Sequence, residues 1–221
     1  MTPEGHQEIE LKRLLIGEGA AEKLVAALGT DAAHKQQINH VFDTDDFRLK
    51  AARHSVRLRF ENGTPILTAK GPSRAVGTVA RARTEAESTI DPEVAARILA
   101  GAIDPVAALG ERVSLDAFAE LFRGLEEACG GRPLRAIGHF ENWRRAVPVV
   151  LPGGLALEVE IDRTRFPDGH IDEEVEIEVP SDDMVPAVEA WLNERVAAAG
   201  ITAQTSTPKV ARFFAAIAAA R

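Results

Sequence analysis

In several separated segments the chain alternates charged with apolar or small residues, and this period of two commits those segments to β-strands. They are Glu8-Ile9-Glu10-Leu11-Lys12, Val56-Arg57-Leu58-Arg59-Phe60, Ile66-Leu67-Thr68-Ala69-Lys70, Arg81-Ala82-Arg83-Thr84-Glu85-Ala86-Glu87, Leu157-Glu158-Val159-Glu160-Ile161 and Glu174-Val175-Glu176-Ile177-Glu178-Val179. Ile9, Leu11, Leu58, Val159, Val175 and Ile177 then face a core, and the charges face the other way. The default for such a pattern is an antiparallel sheet with one wet face.

Asn62-Gly63 separates two of these runs and reads as a tight hairpin. With those two as the loop, Glu61 pairs with Thr64, Arg59 with Ile66, Arg57 with Thr68 and Ser55 with Lys70. Paired residues share a face, so Arg57, Arg59 and Lys70 project from one side. Arg81, Arg83, Glu85 and Glu87 align likewise along their own strand. Between Glu160 and Glu174 the loop contains Pro167-Asp168-Gly169. An odd-length loop puts Glu160 on the face of Glu174 and Glu176, and a two-residue Asp-Gly turn puts them on opposite faces. The odd loop is assumed.

Helices are expected from Glu18 to Leu28 with Gly29 as the stop, from Asp91-Pro92 onward, from Asp182 to Ala199 before Gly200, and from Pro208 through Arg212 and Phe213. Gly101 to Pro133 reads as helix and turn. At 221 residues, one domain spanning 1–221 is expected.

Composition narrows the function classes. A net charge of -8 argues against binding duplex nucleic acid, which requires excess Lys and Arg. Tyrosine is absent and there are two tryptophans, so platforms for stacking flat rings are scarce. The single cysteine, Cys129, excludes an internal disulfide framework and a cysteine-based zinc site, and fits a reducing, cytoplasmic setting. Met1 to His6 has no signal-peptide character and no run is long enough to span a bilayer, so a soluble protein is expected. His6, His34, His40, His54, His139 and His170 are scattered without the spacing of metal ligands.

The charged faces are blocks of one sign, dominated by Glu and Arg, where a solvated surface mixes signs and adds Ser, Thr, Asn and Gln. Such blocks suit a site with two halves. Arg and Lys neutralise and orient phosphate oxygens, and carboxylates take hard divalent cations that also bridge those oxygens.

These segments, in this order, resemble the CYTH family, which includes triphosphate tunnel metalloenzymes, thiamine triphosphatases and class IV adenylate cyclases. Glu8-Ile9-Glu10-Leu11-Lys12 resembles its ExExK strand, Phe42-Asp43-Thr44 with Leu49 its aromatic-Asp-Thr segment, and Arg57-Leu58-Arg59 its RxR strand. Leu67-Thr68-Ala69-Lys70 resembles its LTxK, and Arg83-Thr84-Glu85-Ala86-Glu87 its RxExE. Phe140 to Arg145, Leu157 to Glu160, Glu174 to Glu176 and Lys209 follow in the family's order, so the resemblance runs from Glu8 to about Phe213.

The resemblance implies a β-dominated α+β fold: an eight-stranded antiparallel closed barrel, a tunnel, with helices around the outside. It implies that Arg57, Arg59, Lys70, Arg83, Arg144 and Lys209 bind phosphates. It assigns Glu8, Glu10, Glu85, Glu87, Glu160, Glu174 and Glu176 to Mg2+ or Mn2+. Either Arg144 or Arg145 faces inward, with Arg144 chosen by alignment, and Glu158 and Glu178 have the parity to point inward as well or to sit near the barrel rim. A second metal, or a glutamate such as Glu174 or Glu176, is expected to activate water, and Lys12 or Lys70 to assist the leaving pyrophosphate. The expected activity is metal-dependent hydrolysis of a triphosphate by a monomer or homodimer, with inorganic triphosphate first. Thiamine or nucleoside triphosphatase comes next, then adenylate cyclase, and a polyphosphate- or nucleotide-binding module without turnover is the non-enzymatic alternative. Neither duplex nucleic acid nor a membrane is an expected partner.

Overall fold

The computed structural model describes residues 7–29, 32–78 and 80–219. The readings placed on Met1 to His6 lie outside the described residues. The strands are β1 (Gln7–Ile16), β2 (Ala33–Asp43), β3 (Ser55–Glu61), β4 (Thr64–Lys70), β5 (Arg74–Val76), β6 (Ala80–Thr89), β7 (Arg135–Val150), β8 (Ala156–Arg165), β9 (Ile171–Glu178) and β10 (Thr202–Thr205). The helices are α1 (Ala20–Leu28), α2 (Arg48–Ala51), α3 (Pro92–Leu99), α4 (Pro105–Gly110), α5 (Ala119–Cys129), α6 (Val185–Ala198) and α7 (Lys209–Ala219). The strand order is β10-β1-β9-β8-β7-β2-β3-β4-β6-β5, with β1 also paired to β6. Eight strands therefore return on themselves as the expected antiparallel barrel.

The chain divides into two compact units. One contains Gln37–Ser73 and Arg83–Phe140, and the other contains Glu8–Gln36, Arg74–Ala82 and Glu141–Arg221.

In the first unit the Asn62-Gly63 hairpin forms in the expected register, from Glu61 opposite Thr64 to Ser55 opposite Lys70. Both loop residues have positive φ, 49° and 87°, which Asn tolerates and Gly adopts freely. Leu58, Leu67, Ala69 and Ala86 form one face, buried with Ile98, Leu109, Leu121 and Leu125 of the helices. Each fully buried large side chain contributes about 1.5–3 kcal/mol. Helix α4 starts where Asp104 accepts from the amides of Val106 and Ala107, both at 2.9 Å. Asp43 is 1% exposed, and its Oδ1 accepts from the amides of Thr44 (2.7 Å) and Leu49 (2.9 Å). Its Oδ2 accepts from Lys50 N at 3.0 Å, so one buried carboxylate ties the end of β2 to α2.

In the second unit Ile9, Leu11, Val159, Ile161, Val175 and Ile177 pack on Leu24 of α1 and on Val188, Trp191 and Leu192 of α6. Arg165 pairs with Ile171, which leaves the odd-numbered loop Phe166 to His170 and places Glu160 opposite Glu176. Two sequence boundaries shift. The segment Phe140 to Arg145, which follows the family's order, is part of a strand that runs on to Val150, because Ala146-Val147-Pro148-Val149-Val150 pairs with β8 yet carries no alternating charge to reveal it. The helix expected from Asp182 begins as a short 3-10 turn, Asp182–Met184, ahead of α6.

Candidate active site

Because β1, β9, β8 and β7 are adjacent and antiparallel, their charged residues fall into rows. Lys12 pairs with Glu176, Glu176 with Glu160, and Glu160 with Ala146, whose small side chain leaves Glu160 room. One row along, Leu14 pairs with Glu174, Glu174 with Asp162, and Asp162 with Arg144. Helix α7 delivers Lys209 and Arg212 to the same carboxylates.

The resulting cluster is tightly bonded. Arg144 donates through Nε to Asp162 Oδ1 at 2.8 Å and through Nη2 to Asp162 Oδ2 at 2.6 Å. The same Nη2 donates to Glu176 Oε2 at 2.8 Å, and Nη1 meets Glu160. Lys209 Nζ lies 2.5 Å from Glu174 and 2.7 Å from Glu176, and contacts Asp162. Lys12 Nζ lies 2.6 Å from Glu176 and 3.3 Å from Glu10. Arg212 reaches Asp172 at 2.5 Å and also Glu174, to which Ser206 Oγ donates at 2.9 Å. In these contacts among the described residues, six carboxylates, Glu10, Glu160, Asp162, Asp172, Glu174 and Glu176, thus meet four cations, Lys12, Arg144, Lys209 and Arg212. The acids are in excess by two charges when all are ionised.

Asp162 and Glu174 are 0% exposed and Glu176 4%. Burial opposes ionisation of Asp162 and Glu176, but the cations outweigh it and hold both below the usual carboxylate range. Burial likewise opposes charge on Lys12, Lys209 and Arg144, and their acidic neighbours overcome it and raise all three. Glu160 goes the other way: burial pushes it up to about 7, more than Arg144 can offset. Buried ion pairs of this kind are a poor route to stability, since apolar residues of similar size serve as well or better.

Next to the cluster, and within the same unit, lies a pocket of about 440 Å3 lined by Glu8, Glu10, Glu158, Glu160, Glu176 and Glu178, with Ala156, Leu157 and Pro180. Asp162, Glu174 and Glu176 each present an oxygen within 4.8 Å of the others. Hard oxygen donors without His or Cys fit Mg2+ or Mn2+. Lys209 Nζ stands among these three carboxylates, so a cation is already the charge they are arranged to hold.

The first unit carries the more basic face. Arg57 and Arg59 share it with Thr68 by register, and Glu87 lies opposite Thr68 and Glu85 opposite Lys70. Arg59 Nη2 donates to Glu87 at 2.9 Å, as does Thr68 Oγ1, and Lys70 Nζ lies 2.7 Å from Glu85. Arg83 belongs to the strand of Glu85 and Glu87.

The structure therefore brings Lys12, Glu10, Arg144, Glu160, Glu174, Glu176 and Lys209 into one cluster, with Glu8 lining its pocket. Arg57, Arg59, Lys70, Arg83, Glu85 and Glu87 lie in the other unit. Arg144 joins the cluster, and Arg145 pairs outside it with Glu22 at 3.2 Å. Glu158 and Glu178 line the same pocket, as does Pro180. Sequence reading missed Asp162, Asp172 and Arg212. Asp162 was detectable as the third acid at even spacing after Glu158 and Glu160, whereas Arg212 needed α7 in place.

A ring of eight antiparallel strands whose charged faces hold buried carboxylates against lysine and arginine defines the class: a barrel with a polyionic site. The chain belongs to the CYTH family, whose domain it matches over residues 6–214. It is 38% identical over 66 residues, 30% of this chain, to "Putative triphosphatase YjbK" from Bacillus subtilis (strain 168). That stretch spans 35%, about a third, of the curated relative's own length. Among solved structures, it resembles HpAC1 from Hippeastrum, an adenylyl cyclase candidate described as having a dominant triphosphatase activity. The TM-score is 0.72 with 25% identity over 94% of this chain and 95% of that one. A Bacillus halodurans structure named "putative adenylate cyclase" shares the fold with a TM-score of 0.65 and 24% identity, over 94% and 98% of the two chains. Among the described residues no helix is long and apolar enough to cross a membrane.

Proposed function

We propose that this CYTH protein is a metal-dependent triphosphatase that cleaves inorganic triphosphate with water to pyrophosphate and phosphate. The observation that carries the reading is the buried cluster of Asp162, Glu174 and Glu176 against Lys209, Lys12 and Arg144, an arrangement that is a poor route to stability and offers the oxygen donors that a divalent cation would take. The triphosphatase activity described for HpAC1 points the same way.

In this reading Glu8, Glu10, Glu85, Glu87, Glu160, Glu174 and Glu176 hold Mg2+ or Mn2+, joined by Asp162. The bound cation would neutralise phosphate oxygens and polarise the phosphoryl group under attack. Arg57, Arg59, Lys70, Arg83, Arg144 and Lys209 bind the phosphates and stabilise the charge that builds on them. Glu174 or Glu176 takes the proton of the attacking water, and Lys12 or Lys70 neutralises the departing pyrophosphate.

Inorganic triphosphate is preferred over an organic one because neither indole offers a ring to a ligand. Trp191 is buried in the apolar core, and Trp143 lies under the Arg165 guanidinium at 5.3 Å. We take 1–221 to work as one domain in the cytoplasm, as a monomer or homodimer.

The test is phosphate release from tripolyphosphate, thiamine triphosphate and ATP, each with Mg2+, with Mn2+ and with chelator, by wild type and Glu10→Ala. Metal-dependent release, fastest from tripolyphosphate and lost in the variant, is expected. Release that persists in chelator, or a faster organic substrate, rejects the corresponding part of the reading.

A further inference from the structure

Asn39 lies in the middle of β2, directly paired with Arg59 of β3 and on the face shared by Gln37, Val41 and Arg57. It is 1% exposed, and neither its Nδ2 nor its Oδ1 has a hydrogen-bond partner within the protein. A buried carboxamide left in that state is costly, and buried polar side chains are nearly always paired. An apolar residue would serve the strand better, as Val41 does two positions on. The other amide on this face, Gln37, does find a partner, donating to Glu61 at 2.7 Å.

Directly across from Asn39, Arg59 Nε is also buried without a partner, while its terminal nitrogens are directed to Glu87 at 2.9 Å and Glu61 at 4.0 Å. An unused acceptor and donor, Asn39 Oδ1 and Arg59 Nε, therefore sit on two directly paired residues, with an unused donor, Asn39 Nδ2, beside them.

We propose that Asn39 is a further phosphate-contacting residue: Nδ2 donates to an oxygen of the phosphate that Arg59 holds, and Oδ1 accepts from Arg59 Nε and fixes the plane of the guanidinium. The inference rests on the triphosphatase reading and deepens it. Phosphate oxygens are acceptors, so Nδ2 is the end of the carboxamide that suits them. Oδ1 would repel them and needs a donor, which the Arg59 Nε supplies. The first contact recognises a phosphate, the second orients the arginine that does so, and neither reads an organic group.

The experiment compares wild type with Asn39→Leu, which keeps the branched shape and removes the polar atoms, and with Asn39→Asp. The readouts are the melting temperature without substrate, the melting shift with tripolyphosphate, and KM and kcat for its hydrolysis in Mg2+. Asn39→Leu is expected to melt at or above wild type, because an unsatisfied buried group is gone, and to raise KM about tenfold with a smaller change in kcat. Asn39→Asp, with a negative charge facing phosphate, is expected to raise KM further. Wild-type KM and melting shift in Asn39→Leu would overturn the inference and leave the triphosphatase reading standing. A melting temperature well below wild type in Asn39→Leu would make Asn39 structural and also overturn it. If wild type neither cleaves tripolyphosphate nor is stabilised by it, both readings fall together.

Discussion

Arg144 and Asp162 stand opposite each other on β7 and β8 and are joined by two parallel N–H···O bonds of 2.8 and 2.6 Å, with Asp162 fully buried. The pair is the fixed point of the acidic cluster, since the same guanidinium also donates to Glu176 and the same carboxylate also receives Lys209. Removing Asp162 leaves Arg144 and Lys209 buried with less compensation. Asp162→Ala is therefore expected to cost about 3–5 kcal/mol, measured by urea unfolding. A loss below about 1 kcal/mol would mean that the cluster relaxes into water and is not a rigid frame for chemistry.

How much of this cluster could be read in the sequence depends on the periodicity of each strand. Glu8 to Lys12, Arg57 to Glu61 and Glu174 to Glu178 announce themselves because every second residue is charged. The register of the Asn62-Gly63 hairpin followed from the turn alone. Strand β2 was harder to see, because its inward residues Gln37, Asn39 and Val41 carry no charge, so only its end, Phe42-Asp43-Thr44, stood out. Arg212 and Asp172 were hidden for another reason: they are 40 residues apart in sequence and meet only through the docking of α7. Strand parity and turn chemistry are local, and the pairing of a helix with a strand is not.

Lys209 offers a test of metal against lysine. Its ammonium pairs with Asp162, Glu174 and Glu176, the same oxygens that a divalent cation would use. Lys209→Met should bind Mn2+ more tightly by calorimetry, lose stability in chelator, and regain much of it on addition of Mn2+. Tripolyphosphate affinity should fall, since a phosphate-binding cation is gone. Unchanged Mn2+ affinity would place the metal on other carboxylates.

Glu160 sets a pH dependence. Burial raises its folded-state pKa to about 7, from the ordinary carboxylate value of 4.5. The folded state therefore binds more protons than the unfolded chain between these values. The contribution is fully present below pH 4.5, is lost as pH rises through 7, and stays lost above. A shift of this size corresponds to about 3 kcal/mol. Glu160→Gln cannot ionise, so in chelator its stability relative to wild type should improve from pH 5 to about pH 7 and level off above. A flat difference across that range would show that Glu160 is already ionised at pH 5.

Arg59 tests the basic face of the first unit. Its guanidinium is held by Glu87 and is only 11% exposed. Arg59→Ala should weaken tripolyphosphate binding by about 1.5–3 kcal/mol, on the order of ten- to a hundredfold, as expected for lost hydrogen bonds to a charged group. Arg59→Lys should recover part of this, because a lysine keeps the charge and loses the fork. Equal affinity in all three proteins would remove Arg59 from the phosphate-binding set.

Asp43 separates a structural role from a chemical one within the family's own pattern. It looks like a candidate acid in Phe42-Asp43-Thr44, yet both of its oxygens are committed to the backbone amides of Thr44, Leu49 and Lys50. Asp43→Ala would leave those buried donors unpaired and is expected to destabilise by about 2–4 kcal/mol. Asp43→Asn keeps one acceptor and should fall between. Because α2 leads into β3, which carries Arg57 and Arg59, a destabilised α2 should also loosen the phosphate grip, seen as a raised KM with kcat little changed at a temperature where the variant is still folded. A variant with wild-type stability and no turnover would give Asp43 a part in the chemistry that its bonding in this structure does not show.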